Sequence, residues 1–404
     1  MLSEQQNPPA ASQGPLTGLK VLDFSTLLPG PYATQMLADM GAEVLRVEAP
    51  GRYDMMRDVE PKINGASYAH GSVNRNKRSL ALDLKHPEAG NIIRKLLADY
   101  DIVVEQFRPG VMKRLGLDYD SLAATNPRLI YCSITGYGQT GPLKDRAGHD
   151  INYLSLAGLA SFSGRKETGP VLSGTQIADV GGGSHHAVMG ILAAVIQRHT
   201  TGKGQYIDIS MSDAALAMTT MFGASYLGGG AVPELSSEML NGGWFYDYYR
   251  TADNRYLSVG SLEPQFSKAF FEAIGKPEWQ PRTANPDYDN QMSLKADIQS
   301  VLLQKTLAEW IPVFAAIDAC VEPVLNMAEA TELDHFQARD MVVTTNAPDG
   351  TEIKQLGCPI KFSASSLSIK SIGARLGEHS REVLAQYGYT ESDINALIES
   401  KATC

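Results

Sequence analysis

From residue 19 to residue 138 the chain alternates short apolar runs with amphipathic runs of helical length. LKVLDFS (19–25) has the pattern of a strand, GPYATQMLADMG (30–41) that of a helix closed by Gly41, and AEVLRVE (42–48) that of a second strand. SLALDL (79–84), PEAGNIIRKLLADY (87–100), DIVVEQF (101–107) and LIYCSITGYG (129–138) continue the series. Strands joined through helices run parallel, and the helices cover both faces of the sheet. The chain is therefore expected to build an α/β domain on a parallel sheet. The first βα turn, STLLPGP, lacks the G-x-G-x-x-G spacing, so the nicotinamide fingerprint is absent.

Further along, SHHAVMGILAAVIQRH (184–199) is apolar almost all round its first turns, which predicts a buried helix. TGKGQYIDISMSDAALAMTTM reads as turn, strand and helix. SYLGGGAVPELSSEMLNGG is rich in Gly, Ser and Pro and reads as a linker. YDYYRTADNRYLSVGS is a hairpin pattern around Asp-Asn. The expected organisation is a polar, disordered leader (1–15), a large domain (16–223), a linker (224–243), a smaller α+β domain (244–330) and a return segment (331–404) that completes the large domain.

Composition removes several function classes. A net charge of −10 argues against nucleic acid as the main partner, since phosphate backbones call for cationic surfaces. The run AVMGILAAVI (187–196) is about half the length a membrane span needs. Cys132, Cys320, Cys358 and Cys404 are widely spaced, with no CxxC and no metal spacing, as expected of reduced thiols in the cytoplasm. The start has neither a basic region nor an apolar core of the kind that marks a signal peptide.

Several stretches carry candidate chemistry. His149 and Asp150 open a predicted helix. Asp150 or Asn152 can serve as its N-cap with His149 on the surface, or His149 can act as a general base. Asp179 precedes Gly181, Gly182 and Gly183 and the predicted buried helix. It is either a cap or a catalytic carboxylate beside backbone N–H groups that stabilise a developing oxyanion. Adjacent His185 and His186 point in different directions on a helix and lack a third ligand, so no metal site is expected. Arg75, Lys77 and Arg78 lie before one strand, and Arg108, Lys113 and Arg114 after another. Each set is either a solvated basic edge or part of a clamp for a polyanionic ligand. Glu263 follows a strand of the small domain and precedes Pro264.

Taken together, GLKVLDFSTLLPGPYATQMLADMGAEVLRVE, NRNKRSLALDLK, FRPGVMKRLGL, LIYCSITGYGQTGP, TGKGQYIDISM and LGEHSREVL resemble the family III CoA-transferase/racemase group (CaiB/BaiF type) over nearly the whole chain. The resemblance implies a Rossmann-like large domain built from both chain ends, a small domain, and an interlocked homodimer. GHDINYLSLAGL and GSLEPQF look like the α-methylacyl-CoA racemase branch. That branch implies His149 and Asp179 as the acid/base pair and Glu263 as the group that sets the imidazole tautomer, with Asp150 and the three glycines in support. It also implies that Arg75, Lys77, Arg78, Gln106, Phe107 and Arg114 hold CoA, the only cofactor, which arrives as part of the acyl-CoA substrate. In the transferase branch the same aspartate is a covalent nucleophile. Two departures stand out. Ala49 replaces a basic residue common in relatives, for which Arg46 or Arg52 could substitute, and Trp244–Phe245 are larger than usual beside the acyl pocket.

Overall fold

The computed structural model describes residues 14–63, 66–347, 350–367 and 369–404. The expected leader therefore falls largely outside the described residues. The chain divides into two compact units. One holds the chain up to Tyr153, Thr175–Ala215 and His335–Cys404; the other holds Leu154–Gly174 and Leu216–Asp334. Residues 154–174 thus group with the second unit, although the sequence places them inside an unbroken large domain.

The first unit is built on six parallel strands: β1 (Lys20–Asp23), β2 (Glu43–Glu48), β3 (Lys77–Ala81), β4 (Ile102–Glu105), β5 (Ile130–Thr135) and β6 (Tyr206–Ser210), in the order β6-β5-β4-β1-β2-β3. Helix α1 (Pro29–Asp39) joins β1 to β2, and Gly41 ends it at φ +103°, a left-handed conformation that favours glycine. Side chains alternate across each strand. Leu22, Leu45, Leu80, Val103 and Tyr131 meet Ile92, Ile93 and Leu96 of α2 (Ala89–Leu96) on one face. The C-terminal helices, Ser380–Gln386 and Glu391–Glu399, add Val383, Leu384, Ile394 and Leu397 to that core. The chain end also covers the outer edge of β3. The Ser380 hydroxyl accepts from the Ala81 N–H, and the Thr403 hydroxyl donates to the Ala81 carbonyl. A free strand edge would otherwise expose its polar backbone.

The predicted buried helix differs from its sequence reading in two ways. It begins as a π-helical segment, Ala178–His185, and continues as an α-helix, His186–Thr201. It is also not buried all round: Met189 is 55% exposed and Ile196 69%, so one apolar face stays open. A helix that is apolar on every side gives no sign of which side a sheet will cover.

The second unit holds an antiparallel sheet, β7 (Asp247–Arg250), β8 (Tyr256–Val259) and β9 (Val321–Pro323). The expected hairpin is there, turning through left-handed Asn254. Phe245, Tyr249, Leu257, Phe270, Phe271, Trp310 and Phe314 form its core. The linker region is not structureless: Thr220–Leu227 is helical, and Met239–Gly243 forms a kinked turn with Gly242 left-handed.

The first unit carries an unusual load of buried charge. Asp23 is fully buried at the end of β1, bonded by the Ser25 and Thr34 hydroxyls and by the Lys77 ammonium at 3.1 Å. Burial pushes its carboxyl up, but Lys77, Arg46 and the two hydroxyls outweigh that and leave it below its ordinary value. Breaking a buried pair from one side strands a charge, which costs about 3–5 kcal/mol. Lys77→Met is therefore expected to lower unfolding stability by about that amount in chemical denaturation.

Candidate active site

The chain leaves the carboxyl end of β5 at Gly136 and reaches the helix α3 (Asp150–Leu156) through His149. The His149 N–H donates to Asn152 Oδ1 at 3.0 Å, and the His149 carbonyl accepts from the Asn152 N–H at 2.8 Å. Asn152 thus closes the helix start, while the imidazole stays exposed. Tyr153 fixes the backbone just before it by donating its hydroxyl to the Gly148 carbonyl. Any Cβ at Gly136 or Gly148 would lie 2.5 or 2.7 Å from the Tyr153 ring, so both glycines serve close approach.

Asp150 does not cap its own helix. Its Oδ1 accepts from the N–H groups of Ala178 at 2.6 Å and Asp179 at 3.0 Å, 28 and 29 residues further along the chain. The half-buried Asp179 opens the π-helical segment, a geometry that often marks functional positions. Its carboxyl is pushed up to about 6, first by burial and then by the Asp150 carboxylate, with His149 pulling the other way.

The glycines after Asp179 allow close packing. A Cβ at Gly183 would lie 2.9 Å from Pro29 Cβ, and one at Gly182 would lie 3.2 Å from the Met211 carbonyl oxygen. They let the segment pack against α1 and the chain after β6. The Ser184 hydroxyl locks that packing by donating to the Pro29 carbonyl at 2.6 Å. Gly181 is half-buried, and its carbonyl accepts from His186 Nδ1 at 2.7 Å. The first N–H groups of the segment are also taken, two by Asp150 and that of Val180 by the Gln176 carbonyl. They are not free to meet an oxyanion. Glu263 is exposed in the second unit, at the N-cap of the helix Pro264–Ala273, where its side chain makes no cap bond.

The residues expected to hold CoA have protein partners of their own. Arg75 is 3% exposed; it grips Asp39 through Nε and Nη2 and donates to the Leu356 carbonyl. Lys77, also 3% exposed, divides its three protons among Asp23, the Pro31 carbonyl and Asn74 Oδ1. Arg78 binds Glu43, Glu382 and Gln386. All three sit at or before the start of β3, where they hold the fold together. Arg46 is buried too, against Asp54 and His70, so it cannot replace the missing base at Ala49, whereas Arg52 is exposed. Gln106 and Phe107 do lie at the carboxyl end of β4. Gln106 Oε1 accepts from the Gly30 N–H at 3.0 Å, and the Phe107 ring packs on the core.

Open parallel sheets bind ligands outside the carboxyl ends of their strands. Exposed cations that follow those ends include Arg52 after β2, Lys85 after β3, Arg108, Lys113 and Arg114 after β4, and Lys144 and Arg146 after β5. Lys85 escapes the sequence reading; its signal is that it is the first cation downstream of a strand rather than upstream. A cavity of about 1160 Å³ lies elsewhere, bordered by Lys77, Arg78 and 370–375, and includes neither His149 nor Asp179. Among the described residues no group of three His, Cys, Asp or Glu is placed to hold a metal, and no helix is long and apolar enough to cross a membrane.

A family model described as CoA-transferase family III matches residues 16–380. The chain is 35% identical to the α-methylacyl-CoA racemase of Homo sapiens, with 96% of this chain and 97% of that protein aligned. It is 31% identical to the succinyl-CoA:glutarate CoA-transferase of Mus musculus, over 96% of this chain and 90% of that one. A crystal structure of a CaiB/BaiF family protein from Brucella suis superposes with a TM-score of 0.81 at 31% identity, covering 93% of this chain and all of that one.

The two sets of cations separate by experiment. Lys85→Gln and Arg114→Gln are expected to raise KM for a CoA thioester several-fold, about 1 kcal/mol each, with kcat kept. Arg75→Gln is expected instead to lower the melting temperature, as read by calorimetry.

Proposed function

This chain is a member of CoA-transferase family III, and on that premise we propose that it racemises or epimerises C2 of a 2-methylacyl-CoA thioester. The observation that carries the reading is the Asp150 carboxylate, which ties the turn bearing His149 to the backbone at Asp179, while burial pushes the Asp179 carboxyl up to about 6. One group removes the C2 proton, the electron pair delocalises into the thioester as an enolate, and the other group returns a proton to the opposite face. After one turnover the two groups have exchanged protonation states, and the solvent resets them. An Asp179 carboxyl pushed up to about 6 can take up or release a proton close to neutral pH.

In this reading Lys85, Arg108 and Arg114 hold the nucleotide phosphates, with Gln106 and Phe107 beside them. Glu263 sets the imidazole tautomer, a role that rests on the resemblance alone. CoA, brought in with the substrate, is the only cofactor, and no nucleic acid or membrane takes part. The working form is a homodimer, supported by the open apolar face at Met189 and Ile196. The compartment is the cytoplasm, supported by four free thiols. The alternative, CoA transfer between small acids with Asp179 as nucleophile, draws support from the transferase relative at 31% identity.

Incubation with (2R)- and (2S)-2-methylacyl-CoA in deuterated water tests the reading. Deuterium at C2 with scrambled configuration is the expected result. No label, together with CoA moving onto added acids, would replace it with the transferase reading. His149→Ala and Asp179→Ala are each expected to abolish epimerisation at C2, and Glu263→Gln to weaken it less. The pH profile carries a sign. The direction that uses Asp179 as base loses kcat/KM as pH falls through about 6, and the reverse direction loses it as pH rises through the same value.

A further inference from the structure

Two residues that share a proton task must hold a fixed separation, yet His149 and Asp179 come from segments 30 residues apart in the chain. Asp150 bridges those segments. Its backbone directly follows His149, and its carboxylate takes the N–H groups of Ala178 and Asp179. The N–H groups a local cap would satisfy, those of Asn152 and Tyr153, already donate to the His149 carbonyl. The carboxylate is thus free to reach across. The receiving segment is π-helical, and its first N–H groups have no partner inside the helix.

We propose that Asp150 is a positioning residue that clamps the His149 turn to the Asp179 segment and so sets the spacing between the two. For proton transfer the proposal rests on the two-base reading; the clamp orients Asp179 in a transferase as well. Two parts of its action are separable. The hydrogen bonds fix position, and the negative charge opposes ionisation of Asp179. The titratable groups around Asp179 are Asp150, His149 and Tyr153; Arg108 and Tyr137 in turn face Tyr153. On its own segment His185 lies against Tyr32 of α1, their rings 6.1 Å apart.

The test compares wild type, Asp150→Asn and Asp150→Ala in C2 deuterium exchange across pH, with circular dichroism and melting temperature for each. Asn keeps an oxygen that can accept both N–H groups but carries no charge. Asp150→Ala is expected to lower kcat about 100-fold with KM little changed, as for a misplaced catalytic group. Asp150→Asn is expected to retain kcat within about tenfold at its optimum and to shift the limb set by Asp179 to lower pH. Wild-type kcat in the alanine variant overturns the clamp. So does an asparagine variant as impaired as the alanine one with its pH limb unmoved. If the alanine variant does not fold, the asparagine profile alone decides. If wild type exchanges no C2 proton but transfers CoA, the two-base reading fails. The clamp is then judged by the same kcat ratios in the transfer assay.

Discussion

The ion pair between Asp23 and Lys77 holds the central sheet to its first helix. It joins β1 to β3 beneath α1, fully out of water. The same ammonium holds the Pro31 carbonyl, and the same carboxylate holds Thr34, both on α1. That seats the first turn of α1, where the Pro29 carbonyl accepts from the Ser184 hydroxyl and the Gly30 N–H donates to Gln106. The π-helical segment packs on this turn and presents Asp179. Asp150 then binds the segment, and His149 follows from it. A chain of short contacts thus runs from the centre of the sheet to both candidate proton carriers.

Burying that much charge is stable only because each ion has a partner at bonding distance. Arg75 answers Asp39, Lys77 answers Asp23, and Arg46 answers Asp54. Most of the cations of the basic stretch NRNKRS are spent on these pairs: Arg75 and Lys77 are buried, while Arg78 keeps part of its side chain exposed. Lys85, Arg108 and Arg114, after the carboxyl ends of the strands, are open to water. The same rule sets Asp179 apart: it is half-buried with no cation bonded to it, so its carboxyl rises rather than falls.

Much of the frame was legible in the sequence. Apolar alternation located β1, α1, β2, β4 and β5, and Asp-Asn located the hairpin turn. Gly41 stands where α1 stops. The GHD motif singled out His149 and Asp150, and the glycine run singled out Asp179. What these stretches do locally was less legible. Gly182 and Gly183 pack closely on Met211 and Pro29, and the cap residue Asp150 serves a distant segment. A periodicity near 3.6 also cannot reveal a π-helical start, because one extra residue per turn hardly disturbs a short apolar pattern.

Local chemistry fixes what depends on neighbours in the chain: strand or helix, turn or cap, and which residue types can carry a proton. Partners depend on three-dimensional proximity, and no spacing in the sequence encodes them. Lys77 meets Asp23 across 54 residues, Arg75 meets Leu356 across 281, and Asp150 meets Asp179 across 29. The sequence by itself determined an α/β chain with an imidazole and a carboxylate suited to acid–base work. Only the tertiary structure decided which cations are locked inside, which face solvent, and which carboxylate takes the backbone N–H groups of a distant segment, because each outcome is set by burial and by contacts between distant segments.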